Sequence, residues 1–178
     1  MQVSVYIATS LDGFIARENG DLDWLDEAAA AVPETEDMGY KAFMDSVDVL
    51  IMGRNTYEKV LSFDVDWPYE KHVIVLSRRE LEVPEHLFGK VSHSSETPEK
   101  LIARLKSQGV KRAYLDGGLT VQSFLNAGFV DDLCISVAPV LLGKGKRLFG
   151  DSSATKLKLL NSTSYEFGFV QSTYDVVK

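Results

Sequence analysis

A short apolar run that passes through glycine directly into a helix restricts the fold of this chain more than any other feature. Val49–Met52 has the unbroken apolar character of a strand that is buried on both faces. Gly53 ends the run, and Asn55 with Glu58 three residues later predicts a helix N-cap and its partner. The sequence therefore predicts a central strand that enters a helix at once, an arrangement typical of α/β proteins.

The corner between this strand and its helix has the chemistry of an anion site. Free N–H groups and the helix dipole favour negative charge at a helix N-terminus, and Arg54 places a charged donor beside them. Taken alone, a capped turn with a surface arginine explains the same residues more simply, because strand–glycine–helix junctions are common. The phosphate interpretation therefore depends on the other strand ends.

Two further strand ends carry ligand-binding chemistry. Ser77-Arg78-Arg79 follows the apolar strand Lys71–Leu76, and Gly117-Gly118 follows another apolar strand. Open α/β sheets bind ligands beyond the carboxyl ends of their strands, and paired glycines let a backbone approach a ligand closely. Three such corners predict an extended ligand, such as a dinucleotide with an additional phosphate. The GxGxxG fingerprint of the Rossmann fold is absent.

Length and charge restrict the class of protein. The 178 residues are most simply one domain, residues 1–178, and the hydrophobic fraction of 45% allows a large core. The formal charge of −7 argues against nucleic acid as a general partner. No apolar run reaches the roughly 18 residues of a membrane span, and Met1–Ile7 lacks the regions of a signal peptide.

Cysteine and histidine usage adds two expectations. Cys134 is the single cysteine and lies in an apolar run, which excludes an internal disulfide and fits a reducing cytoplasm. The histidines, His72, His86 and His93, lack metal-ligand spacing. We therefore expect a cytoplasmic protein without a metal site.

The last fifty residues differ in pattern from the rest. Leu133–Leu142, Lys156–Ser162 and Phe167–Val177 read as long strands with turns between them and no intervening helices. Antiparallel pairing at the C-terminal edge of an otherwise α/β sheet follows from this change.

An acid near a predicted buried helix face is the first candidate for chemistry on a substrate. Pro33–Ser46 is predicted to be a helix, with Tyr40 and Phe43 on its buried face and Asp37 at the N-terminal end of that face. Asp37 is either a first-turn acid favoured by the helix dipole or a partly buried proton donor whose pKa is raised by desolvation.

A second candidate segment, Asp21–Pro33, precedes that helix. Acids and apolar anchors surround Trp24, and we expect a mobile loop, because loops with a large aromatic residue near a strand end often close over ligands. Anchoring of Trp24 in the core fits its sequence context equally well.

Together these motifs give the chain a recognisable resemblance. It resembles the dihydrofolate reductase superfamily, and most of all the stand-alone relatives of the reductase domain of the riboflavin-biosynthesis deaminase-reductase. Four motifs carry the likeness in order along nearly the whole chain, and a fifth is similar to the riboflavin branch in particular. They are IATSLDGFIA at Ile7–Ala16, MGRNTYE at Met52–Glu58, VIVLSR at Val73–Arg78, DGGLTVQSFL at Asp116–Leu125, and APVLLGKGKRLF at Ala138–Phe149.

The resemblance implies a mostly parallel eight-stranded sheet flanked by helices, with NADPH along the strand ends and a homodimer as the assembly. Ser77 and Arg78 match contacts to the 2′-phosphate, which agrees with the charge argument for NADPH over NADH. The full set of implied cofactor-binding residues is Ala8, Ile15, Gly53, Arg54, Asn55, Thr56, Leu76, Ser77, Arg78, Gly117, Gly118, Leu119 and Thr120.

On the substrate side the resemblance leaves alternatives open. Asp37 falls where dihydrofolate reductases place their pterin-binding acid, and Asp12 is an acid that the riboflavin branch places near the pocket or simply a turn residue before Gly13. Asp37 is the first candidate for orienting or protonating the substrate, and Asp12 is the second. Trp24 and Tyr40 are candidate pocket walls for substrate binding.

The expected function is an NADPH-dependent reductase that transfers hydride to a small heterocycle, either a pterin or a ribosylated aminopyrimidine. The chain lacks the zinc-binding pattern of a deaminase. Two other classes stay open: a non-catalytic NADPH-binding module, and a domain that binds partners through an exposed edge strand.

Overall fold

The computed structural model describes residues 1–150 and 153–178. Within these two ranges the chain forms ten strands, five α-helices and one short 3-10 helix at Glu85–Leu87. The strands are β1 (Gln2–Ser10), β2 (Phe14–Ala16), β3 (Val49–Gly53), β4 (His72–Leu76), β5 (Val91–Ser94), β6 (Arg112–Asp116), β7 (Asp132–Ala138), β8 (Lys146–Arg147), β9 (Lys156–Ser164) and β10 (Val170–Val177). The helices are α1 (Asp23–Ala29), α2 (Tyr40–Asp45), α3 (Arg54–Leu61), α4 (Pro98–Ser107) and α5 (Gly118–Asn126).

Eight strands form one sheet in the order β5-β4-β3-β6-β1-β7-β10-β9. All pairs from β5 to β7 are parallel, and β10 and β9 continue the sheet in antiparallel pairing. This confirms the predicted α/β class, the mostly parallel eight-stranded sheet and the antiparallel C-terminal edge. Strands β2 and β8 form a separate two-stranded sheet beside it.

The parallel strands are buried on both faces, as their unbroken apolar sequences predicted. One face packs against α4 and α5 through side chains such as Val5, Leu115 and Phe124. The other face includes Leu50, Met52 and Tyr114 and packs against Tyr57 of α3. Alternate residues of each strand point to opposite faces, so the residue after Leu115 returns to the α3 face.

The order of the strands in the sheet reverses between β3 and β6. They are parallel neighbours, but α3 leads from β3 outward to β4, whereas α5 leads from β6 past β1 to β7. The two helices therefore leave on opposite faces of the sheet, and both begin at the carboxyl ends of these neighbouring strands. Such a switch point is where open α/β sheets bind ligands.

Two predictions about the segment before β3 were wrong. The predicted mobile loop around Trp24 is helical in α1, and the Trp24 side chain is 1% exposed, packed with Ala138 and Phe169. The predicted helix Pro33–Ser46 is reduced to the six residues of α2. It begins late because Met38 and Gly39 both have positive φ angles, 51° and 85°, which a right-handed helix excludes.

The strand predicted over Leu133–Leu142 also ends earlier, at Ala138. Pro139 follows it and has no N–H to donate to a ladder. Edge strand β9 is exposed along its length, including Leu157, Leu159 and Leu160. None of the helices described, in either part of the chain, is both long and apolar enough to cross a membrane.

Candidate functional site at the carboxyl ends of the strands

The N-termini of α3 and α5 meet at the switch point through a reciprocal glycine–threonine contact. Each helix has a glycine at its N-cap and a threonine three residues later. A Cβ on Gly53 would lie 3.1 Å from the Thr120 hydroxyl, and a Cβ on Gly117 would overlap the Thr56 hydroxyl. Neither helix has a side-chain cap, so its first N–H groups remain available to a bound anion. The prediction that Asn55 caps α3 was wrong, because Gly53 is the N-cap.

Arg54 connects this corner to the turn after β4. Its Nε donates to the Ser77 hydroxyl at 2.9 Å, and its Nη2 donates to the Arg79 carbonyl at 2.8 Å and to the Glu80 carbonyl. Leu76 lies beside Gly53 in the β3–β4 ladder, and Arg78 is exposed on the same turn. The structure therefore brings the residues predicted for the cofactor phosphates into one corner, where a basic group faces solvent.

The residues predicted to lie beside the nicotinamide also meet here. Gly118 has no room for a side chain, because a Cβ would lie 2.8 Å from the Arg147 carbonyl and 3.1 Å from Cδ1 of Ile15. Ala8 lies in the central strand β1, near its carboxyl end. Leu119 is 74% exposed on the first turn of α5. Of this set, Ile15 and Gly118 are close together, and contacts with a nicotinamide stay a prediction.

Asp116, which the sequence analysis did not single out, is the ionisable group at the centre of this edge. It ends β6 on the α3 face of the sheet and remains partly accessible to solvent. Burial raises the pKa of Asp116 to about 6, although the Gly117 N–H and the Tyr69 hydroxyl both favour its charged form. A carboxyl with such a pKa can hold or release a proton near neutral pH.

Tyrosines surround this carboxyl. Burial, and after it the charge of Asp116, raises the pKa of Tyr40, Tyr69 and Tyr114. Tyr114 donates to the Tyr6 carbonyl at 2.9 Å, and the Tyr6 ring packs 5.6 Å from the Tyr40 ring. We call Asp116, Tyr6, Tyr40, Tyr69 and Tyr114 the tyrosine cluster. Aromatic faces pack favourably against planar rings, and Tyr40 is 39% exposed, so its role as a pocket wall stays a prediction.

The short helix α2 is held over the tyrosine cluster by its preceding turn. The Met38 carbonyl accepts from the Tyr6 hydroxyl at 2.7 Å and from Nε2 of Gln171 at 3.0 Å. The same Nε2 lies 3.1 Å from the Ser136 hydroxyl. A six-residue helix is not stable alone. These bonds therefore maintain the left-handed conformation of Met38 and set the position of Tyr40.

Substitution of Gln171 by leucine tests this arrangement. We expect the variant to lose about 1–3 kcal/mol of unfolding free energy, because the buried Ser136 hydroxyl and the Met38 carbonyl lose their shared donor. Urea unfolding measures the loss. Gln108→Leu, at an exposed position on the end of α4, is the matched control and is expected to change stability by less than about 0.5 kcal/mol. Equal effects of the two substitutions would contradict the proposed restraint on α2.

The structure contradicts the prediction that Asp37 is a buried acid with a raised pKa. Asp37 is exposed, and its carboxylate accepts from the Lys41 N–H at 3.0 Å and the Gly39 N–H at 2.8 Å. These backbone bonds, that from Lys41 first, lower the pKa of Asp37. Asp37 lies before α2 and caps its start, so its role is structural, although it is not in the first turn of the helix as the alternative predicted.

Asp12 is likewise a structural acid and not a proton donor. Its carboxylate accepts from the Ser10 hydroxyl at 2.6 Å and from the N–H groups of Leu142 and Gly143 at 3.1 and 2.7 Å. The bond from Ser10, together with those two, lowers the pKa of Asp12 to about 2. Asp12 ties the turn after β1 to the loop before β8. Trp24 is also excluded as a pocket wall, because it is buried in the separate core described above.

Two cavities lie outside the tyrosine cluster. One of about 340 Å³ is lined by Val60, Leu61, Val65, Trp67, Pro84 and His86, and one of about 210 Å³ lies over β7 and β10. Neither lining includes a carboxyl group, whereas Asp116 lies at the switch point of the sheet. Within residues 1–150 and 153–178, no group of three or more His, Cys, Asp or Glu residues is placed to hold a metal ion.

A protein family, a curated protein and a solved structure are similar to this chain over most of its length. The family model of the RibD C-terminal domain matches residues 2–170. The uncharacterized protein YwjB of Bacillus subtilis strain 168 is 34% identical over 165 residues, which cover 90% of each chain. A solved structure from Shewanella sp. PV-4, described as a riboflavin biosynthesis protein, is 42% identical and superposes with a TM-score of 0.94 over 100% of both chains.

More distant structures share the fold. The Thermotoga maritima diaminohydroxyphosphoribosylaminopyrimidine deaminase/5-amino-6-(5-phosphoribosylamino)uracil reductase superposes with a TM-score of 0.71 at 18% identity. The match covers 99% of this chain and 56% of that one. The family match over nearly the whole length and the TM-score of 0.94 agree with the observed fold. This chain belongs to the RibD C-terminal domain family.

Proposed function

We propose that this protein is an NADPH-dependent reductase that acts on a small heterocycle with a C=N or C=O bond. The observation that carries the proposal is the position of Asp116, a carboxyl with a pKa of about 6 directly beside the glycine N-cap of α5. A proton source and an anion-binding helix N-terminus share one strand end. The proposal is supported by membership of a family whose structurally similar proteins include named reductases.

The residues at the switch point fit NADPH. The uncapped N-termini of α3 and α5 offer N–H groups to a pyrophosphate, and the glycine–threonine contact keeps the two helix ends close together. Ser77 and Arg78, on the turn that Arg54 organises, offer a hydroxyl and a cation to a 2′-phosphate. NADPH, when bound, supplies the hydride.

The chain's own residues supply orientation and a proton. The rings of Tyr6 and Tyr40 provide walls for a planar substrate, and the Tyr69 hydroxyl faces the Asp116 carboxyl. Protonated Asp116 donates to the substrate nitrogen or oxygen that becomes more basic as its double bond is reduced. A binding module without catalysis needs no carboxyl with a raised pKa, which is why we propose an enzyme.

Nucleotide binding is the first test. We expect NADPH at 100 times its dissociation constant to add about 2.7 kcal/mol to the unfolding free energy, and NADH at the same concentration to add much less. Arg78→Ala is expected to weaken NADPH binding by at least about tenfold, since a charge-assisted hydrogen bond contributes about 1.5–3 kcal/mol, and to leave NADH binding unchanged. Thermal unfolding with each nucleotide measures both effects.

The neighbouring Arg79 provides the matched control, because Arg79→Ala removes the same charge from the same turn. It is expected to affect the two nucleotides equally and weakly. Absence of stabilisation by either nucleotide would exclude the reductase. Binding of NADPH without its oxidation across a panel of pterins, aminopyrimidines and quinones would favour the non-catalytic module.

A further inference from the structure

The Asp116 carboxyl has no basic partner. Its pKa is set by burial, by the Gly117 N–H and by the Tyr69 hydroxyl, and no lysine or arginine of the described chain contributes. The same is true of Tyr40 and Tyr69, whose charged neighbours are acidic or phenolic. The centre of the tyrosine cluster therefore offers a proton donor and flat rings, but no cation.

The segments that approach the tyrosine cluster are acidic as well. Residues 30–39, which lead into α2, contain Glu34, Glu36 and Asp37 and no lysine or arginine. Residues 62–70, which carry Tyr69, contain Asp64, Asp66 and Glu70 and again no basic residue. The charge of Asp37 reaches the cluster, since it contributes to the raised pKa of Tyr6.

The lysines on the neighbouring helices are already paired with acids. Lys41 of α2 contacts Asp45 at 2.9 Å, and the charges of Glu70 and Asp37 further raise its pKa. Lys59 of α3 contacts Asp21 at 3.0 Å. The basic groups with a place in the proposed reaction, Arg54 and Arg78, lie at the cofactor corner instead. The two halves of the site thus differ in charge.

This division of charge restricts the substrate. Proteins bind phosphate groups with arginine, lysine or helix N-termini, and at this site those groups are assigned to the cofactor. We propose that the substrate is a planar heterocycle without a phosphate group, neutral or cationic, bound against the exposed ring of Tyr40 at the tyrosine cluster. The inference rests on the proposed function, because it takes the tyrosine cluster as the substrate half of the reductase site.

The inference separates this chain from the Thermotoga maritima protein, whose name includes a phosphoribosyl substrate. At 18% identity the two chains share a fold, and the substrate of one does not transfer to the other. A phosphoribosyl group at the tyrosine cluster would meet the negative charges of Asp37 and Glu70, and the lysine that both acids influence, Lys41, is already paired with Asp45. The acidic segments therefore repel a phosphate group and contain no basic side chain that would bind it.

Matched ligand pairs that differ only by a phosphate test the inference. The aminouracil pair is 5-amino-6-ribosylaminouracil with its 5′-phosphate, the pterin pair is neopterin with its phosphate, and the flavin pair is riboflavin with flavin mononucleotide. Calorimetric titration on the full chain, with and without saturating NADP⁺, measures each affinity. We expect at least one unphosphorylated member to bind, and to bind tenfold or more tightly than its phosphorylated partner. Preference for a phosphorylated member, or binding of no unphosphorylated one, would overturn the inference.

A charge-reversal variant sharpens the test. Glu70→Lys is expected to move the affinity ratio at least threefold toward the phosphorylated member, because it replaces an acid beside Tyr69 by a cation. Glu85→Lys, in the 3-10 helix at the far edge of the sheet, makes the same charge change and is expected to leave the ratio unaltered. An unchanged ratio in Glu70→Lys would overturn the inference.

Failure of the inference and failure of the proposed function give different results. NADPH oxidation with a phosphorylated substrate would retain the reductase and remove the inference. Selective binding of unphosphorylated rings by a protein with no nucleotide affinity would retain the preference for unphosphorylated ligands and remove the reductase.

Discussion

Asp116→Asn is expected to stabilise the folded protein at pH 8 while removing its reductase activity. The pKa of Asp116 is raised from 3.8 to about 6 by burial, so keeping the carboxylate charged at pH 8 costs the folded state roughly 2–3 kcal/mol. Asparagine retains an oxygen that accepts from the Gly117 N–H and carries no charge. The variant should therefore gain up to about that amount of unfolding free energy.

The dependence on pH follows from proton binding. Between about pH 4 and pH 6 the folded protein retains a proton on Asp116 that the unfolded chain releases, so wild-type stability falls as pH rises through this window. Above it the difference is constant. The advantage of Asp116→Asn should therefore be absent near pH 4 and complete near pH 7, as urea unfolding at several pH values would show.

Asp132→Asn provides a control that should change the unfolding free energy in the opposite direction. Asp132 is 7% exposed, but its carboxylate contacts Arg112 at 3.2 Å and accepts from Gln2 and Ser4 at 2.8 Å. Asp132→Asn is expected to destabilise the protein at pH 8, because it leaves the Arg112 charge without its partner. A loss of stability in Asp116→Asn of similar size would contradict our account of the Asp116 environment.

The pH dependence of the reductase activity should also depend on the protonation of Asp116. If protonated Asp116 donates to the substrate, kcat/KM should fall tenfold per pH unit above about pH 6 in the wild type. Loss of the donor in Asp116→Asn should lower the rate by about 10²–10⁴ and leave NADPH binding intact. An unchanged rate would remove Asp116 from the reaction.

Gly117→Ala is expected to be strongly destabilising and to weaken nucleotide binding. Gly117 has a φ of +88°, and a Cβ there would overlap the Thr56 hydroxyl of α3. The backbone conformation costs about 1–3 kcal/mol for an L residue, and the overlap adds about 1–3 kcal/mol. Because α3 and α5 must then separate, their free N–H groups should also lose their common orientation toward a pyrophosphate.

Two further variants separate the causes. Gly89 has a φ of +82° with open space around it, so Gly89→Ala measures the cost of the backbone conformation alone. Addition of Thr56→Ala to Gly117→Ala removes the overlapping hydroxyl and should recover the remainder. Denaturant unfolding and NADPH titration of the set measure both effects. If Gly117→Ala were no worse than Gly89→Ala, the contact between the two helices would not constrain the site.

Most of the cofactor half of the site could be predicted from the sequence, because local signals locate it. The run Val49–Met52, the strand before Ser77 and the glycine pair at Gly117 each end a strand, and parallel strands bring their carboxyl ends to one edge. The fold class followed from the same signals. Contacts between the predicted residues and a nucleotide remain predictions.

The substrate half was harder to predict because long-range contacts determine it. Asp37 had the spacing of a helical residue, but Met38 and Gly39 are left-handed and turn it into a cap. The conformation of Met38 depends on Gln171, which is 133 residues away in sequence. No local pattern encodes such a bond.

Asp116 was missed although a signal was present. It follows an apolar strand, and alternation places it on the same face as Tyr114. The sequence pattern assigned Gly117 and Gly118 to close approach of a ligand, and it included Asp116 only as the first residue of the DGGLTVQSFL motif. The raised pKa of Asp116 is due to burial in the folded chain, and Tyr69, which bonds to it, comes from a distant segment, so the order of the chain does not reveal either effect.

The positions of the two tryptophans have an optical consequence. Trp24 lies in an apolar core with Phe169, whereas the Trp67 ring lies 5.3 Å from that of Tyr69. Replacement of Trp24 by phenylalanine would leave Trp67 as the one tryptophan, in contact with Tyr69 of the tyrosine cluster. Reduced nicotinamide absorbs where tryptophan emits, so quenching of Trp67 would follow nucleotide arrival and its recovery would follow oxidation. The protein thus contains its own reporter for each half of a turnover.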